Sequence, residues 1–113
     1  MPTPAITLTA TLQDFTGVDV QGSWLLIVLC GFKQILPKVA GTSMLAQITK
    51  KVLATAGTIS TQIYGNDVIV PSGTYYAISV LDAQSNVVQA GIYQLAGSGT
   101  QDLSSLTQLT AQP

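Results

Sequence analysis

No histidine, no arginine and no glutamate occur in this sequence, and there is one cysteine, Cys30. Each absence closes a class of function. Without histidine there is no imidazole to orient a serine nucleophile or to shuttle protons near neutral pH. Without arginine there is no planar fork to grip phosphates or guanine edges. One cysteine excludes an internal disulfide, and with no histidine beside it the usual zinc ligand sets are missing. Cys30 lies inside an apolar run, where a buried, inert thiol is expected.

Charge is scarce altogether. Four lysines and five aspartates make 8% of the chain, against about 25% in an average soluble protein. No basic patch offers a footprint for nucleic acid, and anionic membrane is an equally poor partner. With 47% hydrophobic residues, the chain is too apolar for disorder. A neutral surface of Thr, Ser, Gln and Ala favours association, so an oligomer or an assembly subunit is expected. The start, Met1-Pro2-Thr3-Pro4, lacks the basic and apolar regions of a secretion signal. The longest apolar run, Trp24 to Cys30, falls far short of the roughly 20 residues of a membrane helix.

The chain's 113 residues suit one domain able to bury a core without staples. Residues 5–13 alternate Ile6, Leu8, Ala10 and Leu12 with Thr7, Thr9 and Thr11, which predicts a strand with one apolar face. Ser23 to Cys30 is apolar without alternation. That predicts a central strand covered on both sides, by the opposite sheet and by a loop or neighbouring subunit, with Trp24 as the core tryptophan. Residues 41–57 read either as a helix (Met44, Ile48 and Val52 in a stripe) or as a strand, and the strand is preferred because no capping box is present. Further strands are expected from Thr58 to Tyr64, Thr74 to Leu81 and Val87 to Leu95, with Asp82–Asn86 a hairpin loop. About seven short strands separated by turns predict an all-β, antiparallel sandwich over residues 1–97. Residues 98–113 are read as an extended C-terminal tail, its Leu103, Leu106 and Leu109 at spacing three forming a docking segment.

Chemistry is hard to find in this inventory. No serine sits in a G-x-S-x-G elbow, and a Ser–Lys pairing with Lys50 or Lys51 is only formally available. The loop aspartates Asp14, Asp19, Asp67 and Asp82 could in principle converge on calcium, but no D-x-D-x-D spacing exists. Aspartate at a turn normally caps its own backbone. Neither enzyme activity, a metal site nor a cofactor is therefore expected. Tyrosine offers a large apolar face with a polar tip. Tyr64, Tyr75 and Tyr93 are accordingly read, with the tail leucines, as candidate interface residues, and one of the adjacent Tyr75 and Tyr76 as core.

The strings Gly57-Thr58-Ile59-Ser60, Tyr64-Gly65-Asn66-Asp67 and Pro71-Ser72-Gly73-Thr74-Tyr75-Tyr76 come in that order. They are followed by the hairpin Val80–Asn86, then Tyr93-Gln94-Leu95-Ala96-Gly97 and Asp102-Leu103-Ser104-Ser105-Leu106. This pattern resembles modules of phage tail-fibre and virion appendage proteins. Its P-x-G-x-Y core is also similar to carboxypeptidase regulatory-like, transthyretin-like and fibronectin III-like sandwiches. The resemblance implies an Ig-like or transthyretin-like fold. It also implies a non-enzymatic structural role in a virus particle, as a tail, fibre, collar or head-decoration subunit contacting other virion proteins and copies of itself. The alternative is a monomeric Ig-like module at an extracellular surface that binds a glycan receptor.

Overall fold

A computed structural model describes residues 6–13, 16–18, 22–32, 36–39, 43–44, 48–55 and 57–110. The alternation at the start of the chain is realised in β1 (Ile6–Thr11): Ile6, Leu8 and Ala10 are buried, and the threonines between them face the other way. Strand β6 (Thr58–Ile63) alternates likewise and pairs antiparallel to β1, so Ile6 meets Ile63 and Ala10 meets Ile59 on the buried face. The opposite edge of β1 is occupied by β10 (Gly99–Asp102), which runs parallel to it. Where the sequence reading closes the domain at residue 97, the chain therefore adds a further strand to its own first sheet.

The second sheet has the order β5-β2-β8-β9 and is antiparallel throughout. It comprises β2 (Trp24–Cys30), β5 (Thr49–Leu53), β8 (Tyr75–Leu81) and β9 (Val87–Tyr93). In β2 the buried residues are Leu25, Ile27 and Leu29, whereas Trp24, Leu26, Val28 and Cys30 are half-buried on the far face. Trp24 is thus not the core tryptophan. A run with no polar residue carries no register signal, and the chain puts the branched aliphatics of the odd positions inside. Those three side chains join Ile6, Leu8, Ile59, Ile63, Tyr76 and Ile78 in one cluster, so the two sheets face each other as a sandwich. A corner from Leu53 to Thr58 links them, with the Ala54 N–H donating to the Ser23 carbonyl at 2.8 Å.

Residues 41–57 contain no helix where they are described. They give β4 (Ser43–Met44) and β5, and the remaining positions of that stretch lie outside the described residues. Ile48 and Val52 pack towards the core as the strand reading requires, and Lys50 is the exposed exception. A small third sheet, ordered β4-β3-β7, adds β3 (Lys38–Val39) and β7 (Ile69–Val70) and buries Val39 and Ile69. After β10, a short 3₁₀ turn (Leu103–Ser105) leads into residues 106–110.

One polar residue sits among the inward positions of β6. Thr61 is buried opposite Leu8, and its hydroxyl finds no hydrogen-bond partner among the described residues. A buried hydroxyl without a partner loses its hydration uncompensated. Thr61→Val keeps the shape and removes that penalty, so it should raise stability by about 1 kcal/mol, read as a higher urea midpoint at unchanged slope.

Candidate protein–protein interface

The two sheets turn different faces outward. Side chains paired directly across strands share a face. On the three-stranded sheet the outward set is Thr7, Thr9 and Thr11 on β1 with Thr58, Ser60 and Gln62 on β6. Thr9 Oγ1 donates to Asp102 Oδ1 on β10 at 2.9 Å. That surface is finished for water.

The four-stranded sheet is not. Register across β5, β2, β8 and β9 aligns Leu53, Trp24, Leu81 and Val87 in one row on the outer side, in which Leu81 is itself buried and the β8–β9 register shifts, and Thr49, Val28, Ala77 and Ile92 in another. Leu53 is 47% exposed, Val87 64% and its neighbour Val88 61%, while the Trp24 ring is half-buried. Between these rows lies Lys51, opposite Leu26, in line with Ser79 and Ala90. Its Nζ lies 4.6 Å from the Trp24 ring centroid and donates to Ser85 Oγ at 3.2 Å. The lysine covers part of the indole face with its stem and keeps its ammonium in water. The exposed apolar side chains Leu53, Val87 and Val88, with the half-buried Trp24 between them, leave this side less suited to water than the threonine face.

Of the residues singled out from sequence, Tyr75 is buried and Tyr64, Tyr93, Leu103, Leu106 and Leu109 are half-buried. Tyr75 and Tyr76 are both buried, so neither is the exposed member of the pair. Tyr76 sits on the core face, its hydroxyl donating to the Tyr64 carbonyl at 2.6 Å, and burial holds its pKa well above the ordinary phenol value. Tyr75 lies on the other face beneath Gly31, where a Cβ would stand 2.8 Å from the Gly73 carbonyl and 3.0 Å from the tyrosine ring. Gly31 also has φ +87°, so only glycine suits both demands. Tyr64 and Tyr93 are half-buried against the core, Tyr93 directly across from Tyr76. Leu103 and Leu106 also pack on the core, and the Leu109 N–H donates to the Ile92 carbonyl at 2.8 Å. The described tail therefore docks on its own domain. Cys30 is half-buried on the outer face of β2.

The turn around Asn66 forms a clamp. The Asn66 side chain is buried, its amide donating to Thr74 Oγ1 at 3.1 Å while its carbonyl oxygen accepts from the Leu95 N–H at 2.9 Å. The Asn66 N–H in turn donates to the Leu95 carbonyl at 2.6 Å. Gln94 Nε2 donates to the Thr74 carbonyl at 3.0 Å, and the Gly97 N–H to Asp67 Oδ2 at 3.1 Å. Gly65 admits this closeness, because a Cβ there would strike the Asp67 carboxylate and lie 3.2 Å from the Leu95 carbonyl.

The other described aspartates act as turn caps. Asp82 Oδ1 accepts from the N–H groups of Gln84 and Asn86, both at 2.9 Å. Asp102 caps the 3₁₀ turn through the Ser104 N–H and hydroxyl, besides its bond from Thr9. Both carboxyls are held below their usual pKa, Asp82 chiefly by the Asn86 N–H and Asp102 chiefly by the Ser104 side chain. Asp67 lies beside Thr74 at one end of β8 and Asp82 follows Leu81 at the other, so these two do not converge on one ion. Asp14 and Asp19 lie outside the described residues.

Sequence reading missed Leu53, Val87, Val88 and the outward placement of Trp24. For Val87 and Val88 a signal was present, since successive strand residues point to opposite faces and adjacent valines do not both turn inward; the uniformly apolar run Trp24–Cys30 gave none.

No protein-family model, no curated protein and no solved structure matches the chain.

Two outcomes follow from the polar contacts. Asn66→Ala leaves the Leu95 N–H and the Thr74 hydroxyl without their partners and should lower stability by about 1–3 kcal/mol in urea unfolding. For Asp82 and Asp102 the folded pKa lies below the unfolded one, so their contribution is complete above the ordinary carboxylate range. It is lost as pH falls through the depressed values. Melting temperature should be flat above about pH 5 and fall below about pH 4, and Asp102→Asn should make that fall shallower.

Proposed function

We propose that this chain is a non-enzymatic structural subunit of a virus particle, a phage tail, fibre, collar or head-decoration protein, that assembles through protein–protein contacts. The observation that carries the reading is the contrast between the two outer faces. A threonine-rich face suits solvent. The other face, with Leu53, Val87 and Val88 exposed and Trp24 half-buried, suits burial against another protein. The viral setting rests on the resemblance in the Gly57–Leu95 pattern.

The finer fold belongs to the same proposal. The order β5-β2-β8-β9 opposite the antiparallel pair β1–β6 follows the Ig-like arrangement in which strands C′, C, F and G face B and E. The Tyr76 hydroxyl, bonded to an upstream carbonyl at the start of β8, is in the position of a tyrosine corner. The parallel strand β10 departs from that arrangement.

Particles purified on a density gradient from cells carrying the gene test the proposal. The chain should be present in intact particles at fixed copy number. The double variant Leu53→Lys, Val87→Lys, folded by circular dichroism, should be depleted from them at least about tenfold, as a buried unpaired charge demands. Absence of the native chain from particles, or full incorporation of the variant, would contradict the reading.

A further inference from the structure

The end of the chain runs from one sheet to the other. Strand β10 pairs with the edge of β1 that β6 leaves open. Leu103, in the 3₁₀ turn, and Leu106 after it pack on the core. The segment then reaches edge strand β9, where Gln108 stands over Gly91 and the Leu109 N–H donates to the Ile92 carbonyl. One continuous piece thus covers an edge of each sheet, and a bare edge is a template for a foreign strand.

The construction of this piece makes it separable. None of residues 96–110 is buried, so lifting them away takes no side chain from the centre of the core. The chain is already fastened just before them. Leu95 is 1% exposed and bonds to Asn66 through both its N–H and its carbonyl, and Asp67 accepts from the Gly97 N–H. Beyond that point Gly97 and Gly99 take φ +85° and +87°, with nothing near the place a Cβ would occupy. Glycine there leaves the backbone free to turn.

The two sides of β1 can be told apart. The Leu12 N–H donates to the Gly57 carbonyl at 2.6 Å, so the backbone of Leu12 faces β6. In an antiparallel pair the residues alternate, both polar groups of one turning towards the neighbour and both of the next turning away. The backbone groups of Leu8 and Ala10 therefore face β6, and those of Thr7 and Thr9 face β10. The Thr9 hydroxyl, bonded to Asp102 at 2.9 Å, latches β10 in place.

We infer that residues 98–110 are a releasable strap. It comes away from Gly97 onward and uncovers the edge of β1, while the Asn66 clamp and both sheets stay closed.

Amide hydrogen exchange, read residue by residue on the full chain, tests this. Thr7 and Thr9 should exchange together through strap release, at least about tenfold faster than Leu8 and Ala10 on the same strand. Leu95 should stay with the slow pair. Thr9→Val keeps the shape and strand preference of the side chain and removes the latch. It should speed exchange at Thr7 by about tenfold and leave Leu8 and Ala10 unchanged. Thr7 and Thr9 as slow as Leu8 and Ala10, Leu95 opening together with Thr7, or an unchanged Thr7 in the variant would overturn the inference.

Discussion

A single buried amide joins three separate pieces of this chain. Asn66 belongs to the turn after β6, Thr74 opens β8 and Leu95 follows β9, and the Asn66 side chain bonds to the latter two at once. Its geometry is demanding because donor and acceptor must both be met where water does not reach. Gly65 gives the clearance, and Asp67 and Gln94 fasten the same region from its rim. With this end of the sandwich fixed, β6 and β8 enter their sheets in register. Tyr76 can then reach the Tyr64 carbonyl, and Ile59, Ile63 and Ile78 meet across the core. The string Tyr64-Gly65-Asn66-Asp67 is in this sense architectural.

That assignment moves the functional question to the outer surfaces. One sheet shows threonines, serine and glutamine to solvent, with Asp102 locking β10 beside β1. The other shows a row of large apolar side chains with one lysine folded over the tryptophan. A chain so short of charge has few means of keeping two apolar surfaces apart.

Strand positions were legible wherever apolar and polar residues alternate, as in Ile6–Thr11 and Thr58–Ile63, because period two fixes both the element and its buried face. The run Trp24–Cys30 gave a strand but no facing, and the guess that its one tryptophan lies inside followed residue type rather than register. Tyrosine candidates drawn from the same kind of preference are divided: Tyr64 and Tyr93 pack half-buried against the core, and Tyr75 is buried on the other face of β8. The parallel return of Gly99–Asp102 to β1 could not be seen, because pairing between the two ends of a chain leaves no local pattern. The outward placement of Leu53, Trp24 and Val87 depends on inter-strand register. Register is set by the folded sheet and not by any one segment.

Residue-resolved amide hydrogen exchange on the native protein is the most direct measurement of the central claim, that the Asn66 clamp holds the fold together. The amides of Asn66 and Leu95 should exchange only through global opening, as slowly as those of Leu25 and Ile27 in the centre of the second sheet. Exchange of those two amides through local opening, orders of magnitude faster than the β2 core, would show the clamp to be peripheral and contradict the account.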